Sequence, residues 1–236
     1  LSEKNIELER LNEFRTNLVN AISHEFRTPL TSIVGYSSRL LRHDIKIDDE
    51  TRIKSLKIIK QQAQRLSRMV EDLLVVPEIE SFSIQFNKGE VNLCEAIENS
   101  VLYANSNNSN FEVKIDEDLK LVYADSDRLE QVLINLCDNA VKYNQNDEPI
   151  KITAKNISGK PCVSVKNKSL PIPDDMQEKL FDKFIRMDSK LTRTTRGTGL
   201  GLYIVKGLCA AMNIDIVLDC KDDYFNITLV FNDYVE

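Results

Sequence analysis

The sequence predicts a helical-hairpin domain that dimerises into a four-helix bundle, followed by an α+β domain. Three observations support this prediction. The 236 residues suffice for about two domains of ordinary size. Residues 1–43 contain no glycine before Gly35 and carry an apolar stripe at helical spacing. After Pro77 the pattern changes to short alternating apolar runs separated by helical patterns.

The first helix is predicted over residues 1–43. An apolar seam with steps of three, four and seven residues is formed by Leu8, Leu11, Phe14, Leu18 and Ile22. Pro29 removes one backbone donor, so we expect a bend near it.

A polar stretch, "RHDIKIDD", connects this helix to a second one over residues 49–74. Its apolar face comprises Ile53, Leu56, Ile59, Leu66, Met69 and Leu73. Two such helices cannot cover both of their apolar stripes alone, and pairing two chains solves this problem. We therefore expect a homodimer.

The second part alternates strands and helices. Strand patterns are "FEVKI", "IKITAKN", "CVSVKN", "IDIVLDC" and "FNITLVF", and helical patterns fall at about 92–104, 126–144, 174–185 and 199–212. This order predicts a mainly antiparallel sheet with helices on one face. The predicted domains are thus 1–76 and 77–236.

The composition narrows the functional classes. Apolar residues at 42% and charged residues at 29% indicate a globular chain. A net charge of −6 argues against nucleic-acid binding, and no run reaches the length of a membrane span. The five cysteines contain no C-x-x-C pair and predict reduced, buried thiols. We expect a cytoplasmic fragment without direct membrane contact, whose full-length protein could be anchored by an upstream segment.

A histidine in the first helix has a suggestive setting, "NAISHEFRTPLTSI". His24 and Thr28 are four residues apart and share a helix face. Neutral imidazole can act as a nucleophile, and the neighbouring Glu25 carboxylate could take its proton. The same pattern also fits an ordinary surface histidine.

A polar stripe runs along the helix predicted over 126–144. Beside an apolar stripe of Leu129, Leu133, Leu136 and Ala140 lie Asn135, Asn139, Lys142 and Tyr143. Carboxamide oxygens can bind Mg²⁺, lysine can meet phosphate, and a tyrosine ring can pack on a base. A solvated helix face is the alternative reading.

Glycine is concentrated in one place, "TTRGTGLGLYIVK". Three of the seven glycines, Gly197, Gly199 and Gly201, directly precede a helical pattern. Backbone amides at a glycine-rich helix start bind anions. The basic run before them, "RMDSKLTRTTR", fits a mobile lid over phosphates or a solvated loop.

In combination these segments resemble sensor histidine kinases of two-component systems. "SHEFRTPLTSIVGY" is similar to the phosphoacceptor motif, "LINLCDNAVKY" to the asparagine motif, "FDKFIRMD" to the phenylalanine motif and "GTGLGLYIVK" to the second glycine motif. The order matches over nearly the whole chain. The resemblance implies that the second domain is an α/β-sandwich ATP-binding domain of the histidine kinase, gyrase and chaperone type.

The resemblance implies a role for each matching residue. His24 would accept the γ-phosphoryl group of ATP, with Glu25 as acid–base partner, and would pass it to an aspartate of a response-regulator receiver domain. Thr28 would position water for dephosphorylating that regulator. Asn135 and Asn139 would hold Mg²⁺.

The other implied contacts are with ATP itself. Lys142 would meet phosphate and Tyr143 would lie near adenine, while the three glycines would shape the lid hinge and the phosphate contacts. The remaining implied ATP-site positions are Asn167, Ile172, Phe184, Arg196, Thr198 and Leu200.

Two segments depart from the family pattern. The first glycine motif, usually Asp-x-Gly-x-Gly-Ile-Pro, reads "NKSLPIP", with Asn167 at the aspartate and Ser169 and Pro171 at the glycines. The usual His-Gly-Gly turn is replaced by "MNI", Met212 to Ile214, which we expect to alter only a turn.

Strand periodicity puts Asn167 on the same buried face as Val163 and Val165. Its side-chain oxygen could then accept from the adenine amino group, about 1 kcal/mol more weakly than a carboxylate would. We expect weakened but not abolished ATP binding, and tighter binding in Asn167→Asp.

Three functions remain open at this point. The first is an active histidine autokinase, which would also be a phosphatase. The second is a phosphatase-biased or non-enzymatic relay with impaired ATP binding, suggested only by "NKSLPIP". The third is a gyrase-, chaperone- or mismatch-repair-type ATPase, which would not need "SHEFRTP" on a dimerising helix.

Overall fold

A computed structural model describes residues 22–23, 25–42, 47–104, 110–146, 148–185 and 198–235. The chain divides into two compact units, and the boundary along the chain falls between Leu74 and Val75. Within the described ranges, no helix is both long and apolar enough to cross a membrane.

The first unit contains helix α1 (22–23 and 25–40) and most of helix α2 (Asp49–Glu80). α1 continues through Pro29. Asp48 caps the start of α2, since its Oδ1 accepts from the Thr51 N–H at 2.7 Å and its Oδ2 from the Thr51 hydroxyl at 2.9 Å. The predicted apolar seam N-terminal to Ile22 lies outside the described residues.

The predicted end of the second helix, at residue 74, was wrong. α2 runs to Glu80, with Pro77 in its penultimate turn. A Schellman-type end closes the helix: the Ser83 N–H donates to the Glu78 carbonyl at 3.0 Å, the Phe82 N–H donates to the Ile79 carbonyl at 3.3 Å, and Phe82 is left-handed with φ +50°.

Tertiary packing explains why the helix continues beyond Pro77. A proline deletes one helical hydrogen bond, but the turn after it makes contacts within the second unit. The Arg128 Nη2 atom lies 3.1 Å from Glu78 Oε2, and the Ile79 side chain lies where a Cβ on Gly207 would stand. These contacts hold the turn that follows Pro77, and sequence periodicity could not reveal them.

The second unit is the α+β domain. Its elements are β1 (Lys88–Val91), α3 (Leu93–Ala104), β2 (Phe111–Ile115), β3 (Val122–Asp125), α4 (Ser126–Tyr143), β4 (Ile150–Ile157), β5 (Lys160–Lys168), α5 (Asp174–Gln177), α6 (Gly201–Ala211), β6 (Ile214–Asp219) and β7 (Tyr224–Phe231).

The main sheet has the order β2-β4-β5-β7-β6. Only the β2–β4 pair is parallel. All five predicted strands are present, and the predicted fold class is confirmed. The small antiparallel β1–β3 sheet was not predicted, because each strand has four residues and β1 buries only its last one.

The helix predicted over 174–185 was also wrong in extent. α5 ends at Gln177, a 3₁₀ turn spans Glu178–Phe181, and Asp182 is extended. Neither short helix buries a residue, so no packed face extends the helical pattern.

The core of this unit lies between the helices and one face of the main sheet. The fully buried side chains include Leu129 and Leu133 from α4, Ile204 and Leu208 from α6, and Ile150, Ile152, Val163, Ile227 and Leu229 from the strands. On β5 the predicted alternation is confirmed, because Val163, Val165 and Asn167 are all buried.

Candidate functional site

The polar stripe of α4 lies beside its buried face. Asp125 caps the helix by accepting from the Arg128 N–H at 3.1 Å, and the predicted apolar stripe is buried. The polar positions are half-buried, namely Asn135, Asn139, Lys142 and Tyr143. They lie at the rim of the core, where a ligand can reach them.

Helix α6 begins directly against the two asparagines of α4. A Cβ on Gly201 would lie 3.2 Å from Asn135 Oδ1 and 3.6 Å from Asn139 Nδ2. Two motifs that are far apart in sequence therefore meet here. The missing side chain leaves room in front of the carboxamides, beside a helix N-terminus whose free amides favour anions.

Phe184 and Gly199 join the two ends of the predicted lid. The Phe184 N–H donates to the Gly199 carbonyl at 2.9 Å, and both residues are left-handed, with φ +62° and +72°. A Cβ on Gly199 would lie 2.8 Å from the Phe184 Cα, so only glycine fits. The next residue, Leu200, is completely buried.

The whole predicted lid, residues 186–196, lies outside the described residues. Arg196 and Gly197 lie outside the described residues, which resume at the half-buried Thr198. The predicted roles of these residues stay predictions.

Asn167 lies near the end of β5 and is 2% exposed. Its Nδ2 donates to the Lys168 carbonyl at 3.0 Å, and no residue in the described ranges donates to its Oδ1. The predicted burial of this side chain is thus confirmed, and its contact with adenine stays a prediction.

Hydrogen bonds hold the loop after Asn167, which lacks the glycines of the family motif. The Ser169 N–H donates to the Asp223 carbonyl at 2.8 Å, and the Ser169 hydroxyl donates to the Leu170 carbonyl at 3.0 Å. Gln177 Nε2 donates to the carbonyl of the half-buried Ile172 at 3.4 Å. Each of these bonds adds to the stiffness expected from Pro171.

Sequence reasoning missed Asn144, which directly follows the polar stripe. Its Oδ1 accepts from the Lys168 N–H at 3.2 Å and its Nδ2 donates to the Glu148 carbonyl at 2.5 Å. An asparagine at a helix end was the available signal, since asparagine often bonds to nearby backbone there.

In the helical unit, His24 lies outside the described residues. Glu25 is 5% exposed, and its Oε2 lies 3.3 Å from Arg65 Nη2 of α2. Thr28 is half-buried on α1. The Glu25–Arg65 ion pair was not predicted, and it fixes the carboxylate that follows His24 in the chain.

The segment Met212–Ile214 forms a turn between α6 and β6, where the family pattern has His-Gly-Gly. Asn213 takes the left-handed conformation with φ +62°, and its Nδ2 donates to Asp233 Oδ1 at 2.7 Å. Asparagine tolerates this conformation better than most residues, so the turn forms without glycine.

Comparison with known proteins agrees with this geometry. Residues 14–82 match the family "His Kinase A (phospho-acceptor) domain", and residues 124–232 match "Histidine kinase-, DNA gyrase B-, and HSP90-like ATPase". The solved catalytic domain of histidine kinase ThkA is 30% identical, with a TM-score of 0.54 over 62% of this chain and 95% of that one.

This chain belongs to the histidine kinase family.

Other relatives of this member of the histidine kinase family are sensor proteins. KdpD of Clostridium acetobutylicum is 31% identical over 89% of this chain, and VanSC of Enterococcus gallinarum is 28% identical over 92%. The chain spans only 23% and 60% of their lengths. A structure of ThkA in complex with the response regulator protein TrrA is 28% identical and covers 98% of this chain and 67% of that one, with a TM-score of 0.54.

Proposed function

We propose that this histidine kinase uses Mg-ATP to phosphorylate His24 and then passes the phosphoryl group to an aspartate of a response regulator. Residues 1–76 serve as the dimerisation and phosphotransfer domain, and residues 77–236 serve as the catalytic domain. The observation that carries the proposal is the approach of Gly201 to Asn135 and Asn139, since it combines carboxamides with a glycine-rich helix start.

The base and the metal have separate positions in this proposal. The free acceptor of Asn167 meets the adenine amino group, with Tyr143 and Ile172 beside it. Asn135 and Asn139 fit Mg²⁺, because carboxamide oxygens suit a hard cation and the absent Gly201 side chain leaves room in front of them. The metal, when bound, neutralises charge on the phosphates.

The phosphates lie at the start of α6 in this proposal. Main-chain amides from Gly199 to Gly201 donate to phosphate oxygens, and Lys142 and Arg196 add positive charge. Gly197, Thr198 and Leu200 complete the phosphate-binding loop. The Phe184 N–H holds the end of this loop by donating to the Gly199 carbonyl.

Transfer follows in-line displacement. A His24 ring nitrogen attacks the γ-phosphorus, an N–P bond forms, and the P–O bond to the β-phosphate breaks, so that ADP leaves. Glu25 takes the ring proton, and Arg65 holds the Glu25 carboxylate in place. In the phosphatase activity of the same domain, Thr28 positions a water that hydrolyses the phosphoryl group of the regulator.

The proposed assembly is a homodimer that docks a receiver domain. Helix α2 alone exposes Ile53, Leu56, Val70 and Leu74, and α1 exposes Leu30 and Val34. A second copy would bury such residues. The response regulator in the ThkA complex supports the choice of partner. Five free cysteines fit a cytoplasmic location.

One assay tests the proposal. The wild type and His24→Ala are incubated with Mg²⁺ and γ-labelled ATP, and we expect acid-labile label on the wild type alone. Absence of label on the wild type at millimolar ATP would overturn the autokinase and favour the phosphatase-biased relay. Label on His24→Ala would overturn the acceptor assignment.

A further inference from the structure

The end of β5 is tied to the end of α4 through the main chain of Lys168. The Lys168 N–H donates to Asn144 Oδ1 at 3.2 Å. The Lys168 carbonyl accepts from the Gln145 N–H at 3.1 Å and from Asn167 Nδ2 at 3.0 Å. Both main-chain polar groups of Lys168 are therefore hydrogen-bonded.

The backbone partners fix the orientation of both side-chain amides. A backbone N–H can only donate and a carbonyl can only accept. Asn144 meets an N–H with one atom and the Glu148 carbonyl, at 2.5 Å, with the other, so its amide cannot rotate by 180° without losing both bonds. Asn167 must likewise turn its nitrogen to the Lys168 carbonyl.

This orientation matters because asparagine, unlike aspartate, can present either a donor or an acceptor. A carboxylate accepts through both oxygens and gives the same hydrogen-bond pattern in either orientation. One Nδ2 hydrogen of Asn167 is bonded to the Lys168 carbonyl, which holds the nitrogen on that side of the amide and leaves the oxygen on the other side as the acceptor for a ligand.

We propose that Asn144 is a positioning residue that holds the Lys168 carbonyl against Asn167 and thereby makes the site select 6-aminopurine over 6-oxopurine nucleotides. The inference rests on the proposed function, in which Asn167 contacts the base. The 6-amino group of adenine donates to Asn167 Oδ1. The 6-oxo group of hypoxanthine would place an acceptor against an acceptor.

Loss of the Asn144 side chain frees the Lys168 N–H and loosens this corner. The Asn167 amide can then rotate and donate to a 6-oxo group, so discrimination between the two bases falls. A purely structural role would change both affinities together and leave their ratio constant.

The experiment measures binding of ADP and IDP with Mg²⁺ to the full chain by titration calorimetry. The variants are Asn144→Ala and Asn144→Asp, the second of which keeps an acceptor for the Lys168 N–H and loses only the donor to the Glu148 carbonyl. Asn92→Ala is the matched control. Asn92 Oδ1 also accepts from a backbone N–H, that of Cys94 at 2.9 Å, but this bond lies at the start of α3.

We expect the wild type to prefer ADP by about tenfold or more, as for a mismatched buried acceptor. The preference should fall at least about threefold in Asn144→Ala and stay within about twofold in Asn144→Asp and Asn92→Ala. An unchanged preference in Asn144→Ala overturns the inference, and an equal fall in Asn144→Asp overturns the role of the Lys168 N–H.

Different results would contradict the proposed function and the proposed base selection. A wild type that phosphorylates itself from ATP but binds ADP and IDP equally contradicts only the base selection. A wild type without phosphoprotein contradicts the proposed function, whatever the base preference. Asn167→Ala that retains the wild-type preference shows that another residue reads the base.

Discussion

At the residue scale, the two polar atoms of the Asn167 side chain make different contacts. Its oxygen is the proposed adenine contact, while its nitrogen donates to the Lys168 carbonyl at 3.0 Å. A family-type aspartate would gain strength at the first contact and lose the second. The sequence alone predicts only the stronger contact with adenine. The bond to the Lys168 carbonyl could not be predicted, because it depends on the backbone conformation at the end of β5.

We therefore expect Asn167→Asp to change ADP affinity by less than about threefold, short of the fivefold tightening that a charged acceptor alone would give. The free energy of unfolding should fall by about 1 kcal/mol, since one hydrogen bond becomes an oxygen–oxygen contact. Calorimetry and urea unfolding measure the two effects. Tightening of fivefold or more would show that the Lys168 contact is unimportant.

Gly201 is the second decisive residue, because a side chain there would crowd Asn135 Oδ1 at 3.2 Å. We expect Gly201→Ala to reduce autophosphorylation by about tenfold, as for a misplaced catalytic group. Gly89→Ala is the control, since nothing lies within 4 Å of a Cβ at that position. Equal labelling of the two variants would contradict the proposed metal and phosphate site.

Cys137 and Cys209 make the stability of the second unit depend on pH. Burial raises the pKa of both thiols to about 12, from an ordinary 9.0. Because the folded state keeps the thiol proton, this stabilisation is complete below about pH 9 and is lost as the pH rises from about 9 to 12.

We expect the free energy of unfolding to fall by about 1 kcal/mol per thiol between pH 8 and pH 10. Urea unfolding of Cys137→Ala and Cys209→Ala at both pH values measures the effect, and each variant should show a shallower fall than the wild type. Cys94→Ala, at a half-buried position, serves as the control. Parallel pH profiles for all four proteins would rule out the thiols as the source.

At the scale of elements, the end of α2 depends on its packing against α6. A Cβ on Gly207 would lie 2.6 Å from the Ile79 Cγ2 atom. The glycine therefore allows a turn that contains Pro77 to remain helical. The position of this helix end is a property of two elements and not of one.

We expect Gly207→Ala to destabilise the protein by about 1–3 kcal/mol through overpacking, although the same change on an exposed helix stabilises by about 1 kcal/mol. In an Ile79→Ala background the cost should shrink or reverse, because the new methyl group enters vacated space. Urea unfolding of both single variants and the double variant measures the coupling. Additive effects would contradict the contact.

At the scale of the whole molecule, the proposed dimer has a direct test. Ile53 and Leu56 are each 52% exposed on α2 in the single chain. We expect Ile53→Glu with Leu56→Glu to convert the dimer to a monomer, because a buried charge in the bundle is costly. Light scattering coupled to size exclusion measures the mass.

Val217→Glu is the matched control for the dimer test. Val217 is also 52% exposed but lies on the edge strand β6 of the second unit. The control should remain dimeric. Monomerisation of both variants, or of neither, would contradict an interface on α2.

The main elements could be predicted because their signals are local. Two periodic patterns are confirmed by the burial of their residues. They are the helical stripe of Leu129, Leu133, Leu136 and Ala140 and the strand alternation of Val163 and Val165. The predicted ATP-site residues follow from motifs, and the structure brings Asn135, Asn139 and Gly201 together. The strands β1 and β3 are too short to carry such a signal.

The family and the order of the elements could be predicted from the chain alone, because periodicity and motif spacing are properties of the chain. Only the tertiary structure decided the end of α2 at Glu80, the Phe184–Gly199 junction and the bonds between Asn144, Lys168 and Asn167. The helix end, the junction and the Asn144–Lys168 bond each join residues distant in sequence, and no local pattern specifies such partners.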